Sequence, residues 1–186
     1  VNIRQHNKDY KGAFEDLTKA ISLYPNNSEL YSIRCTERYR AGREFEALKD
    51  CNMAIKLGGK NSTDLNNRAS LHLSSGDYGS AIEDLSDAIE LQPDDSELYN
   101  NRAVMRLANE DYKGASDDLY TAISYNNNDS YYHSNLCLAL HNLNEGEKAL
   151  SACSQALILD IKNWEAHFNR ANTLLGLSRH VDALKD

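Results

Sequence analysis

The sequence contains few of the residues on which several classes of protein depend. Its 186 residues include two prolines, nine glycines and four cysteines, too few for a turn-rich β-protein or for a scaffold built on disulfides. No apolar run approaches the roughly 18 residues of a transmembrane helix, and the N-terminal residues lack the apolar core of a signal peptide. We therefore predict a soluble, mainly helical, cytoplasmic protein that does not bind membranes.

Basic residues are scarce relative to acidic ones. The chain has 20 lysines and arginines against 28 aspartates and glutamates, which gives a formal net charge of -8. Such a chain repels phosphate backbones, so we expect no nucleic-acid partner. The apolar residues, 41%, and the charged residues, 26%, are in ordinary proportion for a folded protein and argue against disorder.

Motifs for catalysis and metal binding are absent from the sequence. It has no C-x-x-C or H-E-x-x-H spacing for zinc, no glycine-rich phosphate loop and no G-x-S-x-G nucleophile motif. The sequence therefore predicts no enzymatic activity, no cofactor and no metal.

The sequence does contain an internal repeat, whose constant period is visible in its alanines. Alanine recurs at one constant interval in two columns of the repeat, and large apolar residues recur at the same interval in two further columns. The four columns of one unit fall at i, i+4, i+7 and i+8, which is one face of a helix. The first alanine column consists of Ala13, Ala47, Ala81, Ala115, Ala149 and Ala183, and the second of Ala20, Ala54, Ala88, Ala122 and Ala156.

The other helix of each unit opens after a short stretch of turn-forming residues. A serine ends each stretch and is well placed to cap the helix that follows. These serines are Ser28, Ser62, Ser96 and Ser130. Each unit is therefore predicted to be two helices joined by a turn.

A helix pair of about 34 residues resembles the unit of the tetratricopeptide repeat family. The family's A-x3-F element appears as Ala13-x3-Leu17, Ala81-x3-Leu85 and Ala115-x3-Leu119. The aromatic residue of the family's first helix appears as Tyr31 and Tyr99, and is replaced by Leu65, His133 and His167. Because these histidines occupy a packing column, we interpret them as packing residues.

The resemblance implies an all-α fold, a right-handed superhelical solenoid of antiparallel helix pairs. We interpret residues 1–186 as a single array of such pairs. The full repeats are 28–61, 62–95, 96–129 and 130–163, and the partial repeats are 1–27 and 164–186.

Two charged columns predict an ion pair inside each unit. Arginine recurs with the period of the repeat, and aspartate follows it at a constant spacing. The unit that has Leu136 in place of the arginine also has Ala152 in place of the aspartate. We therefore expect Leu136 to contact Ala152, and we expect the pairs Arg34–Asp50, Arg68–Asp84 and Arg102–Asp118.

The four cysteines occupy equivalent columns of two units. Cys35 precedes Cys51 by the same interval that separates Cys137 from Cys153. Each pair is either a buried contact between two thiols or a disulfide. Because no secretion signal is evident, we favour buried, reduced thiols.

A column of four asparagines marks the candidate binding surface: Asn67, Asn101, Asn135 and Asn169. In tetratricopeptide proteins the first helix of each unit lines a concave groove, and an amide there can donate to and accept from a peptide backbone. The column resembles the asparagine ladder in the repeats of O-linked N-acetylglucosamine transferase, which grips extended peptides. We expect these amides to be free of intramolecular partners, so that alanine substitutions do not reduce stability.

Neighbouring residues are expected to complete a polar groove with apolar patches, namely Asn66, Asn100, Val104, Leu138, Phe168 and Asn172. The sequence thus predicts a non-catalytic protein-interaction scaffold that binds an extended peptide or a partner helix. Two alternatives stay open: a substrate-recruiting arm of a larger enzyme, and a structural solenoid that associates with itself.

Overall fold

A computed structural model describes residues 10–184, and these residues form helices without a strand. Residues 1–9 and Asp186 of the aspartate column lie outside the described residues, as does the side chain of Ala13. The helices are α1 (Tyr10–Leu23), α2 (Ser28–Arg40), α3 (Glu44–Gly58), α4 (Ser62–Ser74), α5 (Tyr78–Leu91), α6 (Ser96–Ala108), α7 (Tyr112–Tyr125), α8 (Ser130–Asn142), α9 (Gly146–Leu159), α10 (Trp164–Gly176) and α11 (His180–Ala183).

The helices pack as pairs of sequence neighbours. The most extensive contacts join α2 with α3, α4 with α5, α6 with α7 and α8 with α9. The connections within these pairs are short, which makes the two helices antiparallel. The described residues form two compact units that divide between Gln92 and Pro93, and each unit consists of such pairs. The predicted all-α fold of antiparallel helix pairs is confirmed.

Small residues on the second helices let the paired helices approach closely. The predicted alanine columns are fully buried wherever they fall within α3, α5, α7 and α9. Their members there are Ala47, Ala54, Ala81, Ala88, Ala115, Ala122, Ala149 and Ala156. The large residue between the two columns is also fully buried, as Leu85 and Leu119 show. One period of the sequence repeat thus corresponds to one core layer per helix pair.

The capping residues differ from those predicted. Each serine is the first residue of its helix, and the residue before it is the N-cap. Asn27 accepts hydrogen bonds from the backbone N–H groups of Glu29 and Leu30, and Asp129 accepts one from Tyr131. The prediction of serine caps is therefore wrong by one residue, because each helix begins at its serine and the Asn or Asp before it takes the N-cap position.

A residue with a left-handed backbone conformation lies in the turn that follows the first helix of each pair. The φ angles are 70° at Gly42, 76° at Gly76, and 60° at Glu110, Asn144 and Ser178, and these five residues are equivalent positions of successive repeats. Glycine adopts this conformation without strain, whereas a residue with a Cβ atom does not. The turn geometry is therefore kept along the repeats even where the glycine is not.

None of the helices within residues 10–184 is long and apolar enough to cross a membrane.

Candidate functional site

The asparagine column forms hydrogen bonds between successive first helices. Asn67 on α4 donates from Nδ2 to Thr36 Oγ1 on α2 over 3.0 Å. Asn135 on α8 donates to Asn100 Oδ1 on α6 over 2.9 Å. Both asparagines are half-buried. The expectation that these amides are free of intramolecular partners is therefore wrong, because first helices of neighbouring repeats lie close enough for an amide to bridge them.

The remaining two members of the column are engaged as well. Asn169 on α10 is buried and donates to the backbone carbonyl of Ser134 on α8 over 3.2 Å. Asn101 is half-buried and is not without a partner. The column thus has a structural role, which the propensity of single residues could not reveal.

Each bridging amide keeps part of its hydrogen-bonding capacity. An amide carries two donor hydrogens and a carbonyl oxygen, and the bridges use one hydrogen each. Among the described residues, no donor reaches the Oδ1 atoms of Asn67, Asn135 and Asn169. These oxygens therefore keep acceptor capacity that the bridges do not use.

The predicted neighbours of the column differ in exposure. Val104, Leu138 and Asn172 are half-buried, as are Asn66 and Asn100. Phe168 is 59% exposed and lies beside Asn169 on α10. Asn66 and Asn67 belong to the first compact unit, whereas the other predicted site residues belong to the second.

An exposed aromatic pair on α10 extends this surface. Trp164 is 68% exposed, and together with Phe168, His167, Lys162 and Ala171 it lines a cavity of about 450 Å³. Trp164 is not among the site residues predicted from the sequence. The sequence does mark this position, because each of the four preceding first helices begins with a serine, whereas α10 begins with a tryptophan.

The predicted ion pairs are confirmed. In each pair, Nε and Nη2 of the arginine donate to the two oxygens of one aspartate over 2.6–2.9 Å. The pairs are Arg34–Asp50, Arg68–Asp84 and Arg102–Asp118. Leu136 and Ala152 lie in one buried apolar cluster, as expected of their replacement.

A second arginine joins two of these pairs and was not recognised in the sequence. Arg106 Nη1 donates to Asp118 Oδ2 over 2.8 Å, and Arg38 is placed in the same way against Asp50. Arg38 and Arg106 form a second arginine column, one helical turn after the first. The sequence does not make this column obvious, because His72 occupies it in repeat 62–95.

The aromatic column of the first helices ties the helix to the preceding turn. Tyr31 and Tyr99 donate their hydroxyls to carbonyls of that turn over 3.1 and 3.0 Å. Burial raises the pKa of Tyr99, and the nearby Tyr125 adds to this, which keeps the hydroxyl protonated as a donor. His133 and His167 make the equivalent contact from Nε2 over 3.1 Å. Since a carbonyl only accepts, Nε2 carries the proton, and the histidines are packing residues as predicted.

The cysteine pairs are disulfides. Cys35 is bonded to Cys51, which joins α2 to α3, and Cys137 is bonded to Cys153, which joins α8 to α9. All four residues are completely buried. The neighbours and the burial agree with the prediction, but the preference for reduced thiols is wrong. The facing columns bring the sulfur atoms within bonding distance, which a missing secretion signal could not exclude.

Several known proteins share this sequence pattern or this fold. The tetratricopeptide repeat family matches residues 66–130, and no curated protein matches the sequence. A tetratricopeptide repeat protein from Parabacteroides merdae has a TM-score of 0.87 at 20% identity, over 99% of this chain and 73% of that one. For MamA from Desulfovibrio magneticus RS-1, starting at residue 41, the TM-score is 0.79 at 20% identity, over 85% and 89% of the two chains.

YrrB, described as a tetratricopeptide repeat protein with an unusual peptide-binding site, has a TM-score of 0.75 at 20% identity, over 91% of this chain and 87% of its own. At this level of identity the likenesses establish the fold alone. Residues 66–130 match the tetratricopeptide repeat family, and the helix pairs of both compact units carry the same packing columns and have the fold of tetratricopeptide repeat proteins.

Proposed function

We propose that the chain is a non-catalytic scaffold that binds an extended peptide along the first helices of its repeats. The exposure of Phe168 supports this proposal most directly. Its ring is 59% exposed on α10, in a column that holds Asn100 and Ser134 in the preceding repeats. Aromatic residues presented in this way commonly anchor a partner's side chain.

The asparagine column supplies the second part of the proposed site. The Oδ1 atoms of Asn135 and Asn169 can accept hydrogen bonds from peptide N–H groups while their Nδ2 bridges remain in place. Contacts to a backbone do not depend on its side chains, so we propose that the amides give affinity and that Phe168 gives selectivity. The site belongs to the second compact unit.

Replacement of Phe168 tests the proposal without disturbing the bridges. Peptides are first selected from a displayed library of unstructured sequences on the full chain. We expect Phe168→Ser to weaken their binding by about tenfold or more, since loss of an anchor costs about 1–2 kcal/mol or more. Phe45→Ser is the matched control, because Phe45 is also an exposed phenylalanine but lies on α3 in the other unit. Equal binding by the native chain and Phe168→Ser would overturn the proposal.

Self-association is a second candidate function, favoured by the repeat itself. In repeat 28–61 the equivalent of Phe168 is Ser32, which donates to Asp64 of the following repeat. Asn100 likewise accepts from Asn135 of its following repeat. Phe168 thus occupies a column whose members in preceding repeats bond to the following first helix, and Trp164 is exposed one turn before it. Light scattering over a concentration series tests this candidate: a mass that rises for the native chain but not for Trp164→Ser supports it.

We also propose the predicted repeat boundaries within one array. The first helices α2, α4, α6, α8 and α10 begin at residues 28, 62, 96, 130 and 164, which supports repeats of constant length. The cytoplasmic location predicted from the sequence stays a prediction. The two disulfides favour an oxidising compartment instead, because cytosolic thiols are normally kept reduced.

A further inference from the structure

The repeat 130–163 differs from the others where its two helices meet. Repeat 96–129 holds a cluster of three charged side chains at this place, and repeat 130–163 holds three apolar ones. The charged residues are Arg102, Arg106 and Asp118, and the apolar residues are Leu136, Leu140 and Ala152. Two leucines and an alanine are smaller than two arginines and an aspartate, so the exchange removes both charge and volume.

The lost arginine also fills space toward the preceding repeat. Arg34 donates from Nη1 to Thr18 on the second helix before it over 3.2 Å. Arg68 reaches Asn52 in the same way over 2.9 Å. In repeat 130–163 the equivalent residues are Leu136 and Tyr120, at the same spacing as in the other repeats. Leu136 ends well short of the reach of a guanidinium, so the space that the guanidinium takes in those repeats is left open.

The result is a cavity of about 350 Å³ within the second compact unit. Leu136, Leu140 and Ala152 are buried parts of its lining, and Tyr120 and Ile123 on α7 line it as well. The volume lies near the lower end of the roughly 300–1,000 Å³ typical of small-molecule sites. An apolar group that enters the part of the cavity beside Leu136, Leu140 and Ala152 removes apolar surface from water, which favours its binding.

Of the described residues that line the cavity, one is a lysine or arginine and none is a carboxylate. Lys148 on α9 is the cation, with His133, Ser151 and Gln155 as the polar neighbours. The Lys148 ammonium contacts Glu145 over 2.6 Å in a pair on the surface, and its side chain is 68% exposed. Surface pairs of this kind contribute at most about 1 kcal/mol, so the ammonium can turn to another anion at little cost.

We propose that this cavity binds a small amphipathic carboxylate. Its apolar body contacts Leu136, Leu140 and Ala152, and its carboxylate pairs with Lys148. None of the residues of the proposed peptide-binding surface is among the described residues that line the cavity, so the two sites are separate. The repeat that has lost its charge cluster has thus gained a ligand site.

Calorimetric titration of the full chain with octanoate and with octanamide tests the proposal. The two probes share an apolar tail, and only octanoate carries a charge. We expect both to bind and octanoate to bind more tightly. Lys148→Gln should weaken octanoate by about threefold to fivefold and leave octanamide unchanged, in keeping with an exposed pair. Lys113→Gln is the matched control, because Lys113 is an exposed lysine paired with Asp117 in the same compact unit.

Filling the cavity supplies the second arm. Ala152→Leu should weaken both probes by at least about tenfold, while the circular dichroism spectrum stays native. On the unaltered chain, methyl resonances of Ile123, Leu136 and Leu140 should shift with octanoate, whereas those of Leu65 should not. These resonance shifts are measured on the unaltered chain, so the result does not depend on the folding of a variant. Absence of octanoate binding at millimolar concentration, or shifts confined to other methyl groups, would overturn the proposal.

Discussion

Arg102 and Asp118 join the two helices of one repeat through a pair of parallel hydrogen bonds. Nε lies 2.9 Å from Oδ2, and Nη2 lies 2.7 Å from Oδ1. Arg106 adds a third bond to the same carboxylate over 2.8 Å. Asp118 is buried, and a buried carboxylate stays charged only if such partners replace its hydration. The three side chains of the cluster therefore depend on one another for their stability.

Removal of the carboxylate alone should be costly. Asp118→Ala removes the buried carboxylate that Arg102 and Arg106 share and leaves Arg106 only its contact with Asp111 over 3.6 Å, so we expect the free energy of unfolding to fall by about 3 kcal/mol. Urea unfolding of the full chain, followed by circular dichroism, measures the change.

Repeat 130–163 provides the matched control for this experiment. A triple variant carries Arg102→Leu, Arg106→Leu and Asp118→Ala, which copies the residues Leu136, Leu140 and Ala152. Because no uncompensated charge remains, we expect the triple variant to recover part of the loss seen for the single variant, although its smaller side chains leave unfilled volume. A triple variant that is less stable than Asp118→Ala would contradict this account of the cluster.

The asparagine bridges reverse the expected effect of alanine substitutions. Asn169→Ala removes the hydrogen bond to the backbone carbonyl of Ser134 that joins α10 to α8, so we expect a loss of about 1 kcal/mol in the free energy of unfolding. Asn172 is the matched control on the same helix, since its amide makes no hydrogen bond among the described residues. Asn172→Ala should raise stability by up to about 0.5 kcal/mol through helix propensity. Thermal unfolding of both variants checks the opposite signs.

The sequence was sufficient to predict contacts whose residue columns recur in several repeats. Arg34–Asp50 and its equivalents could be predicted because both columns are lost together at Leu136 and Ala152. The packing role of His133 and His167 could be predicted from the same kind of comparison, since Tyr31 and Tyr99 occupy the column in other repeats, but their hydrogen bonds to carbonyls could not.

Distances between neighbouring repeats could not be predicted in this way. Whether Asn135 reaches Asn100 depends on how closely two first helices approach, and the identity of one column does not give that distance. The bond between Cys35 and Cys51 likewise depends on geometry across two helices. The cavity beside Leu136 is a difference of volumes, which appears only when neighbouring side chains are placed together.

The left-handed turns should respond to glycine in a position-specific way. Glu110 has φ of 60° and is exposed, so Glu110→Gly should raise the free energy of unfolding by about 1 kcal/mol by relieving strain. Gly76→Ala at the equivalent position should lower it by about 1 kcal/mol. A Cβ atom at Gly76 meets nothing within 4 Å, so the loss reflects the backbone alone.

Glu110→Gln separates this effect from the removed charge. It keeps the side chain and its strain while removing the negative charge of an acidic protein. In urea unfolding, the free energy of unfolding should therefore be lower for Glu110→Gln than for Glu110→Gly. Equal stability of these two variants would show that charge, and not backbone conformation, governs the position.

The disulfides predict the thiol content and the response to reduction. Titration of the denatured, unreduced chain should detect no free thiol, whereas four would appear if both pairs were reduced. Each bridge has a sequence separation of 16, and closing a loop of that length stabilises a protein by about 3 kcal/mol. Two double variants isolate the two contributions, namely Cys35→Ser with Cys51→Ser and Cys137→Ser with Cys153→Ser.

Because all four cysteines are completely buried, a reductant reaches them only when the helix pair opens. Reduction should thus be much slower for the folded chain than for the chain in urea, and equal rates would contradict the burial of the bridges.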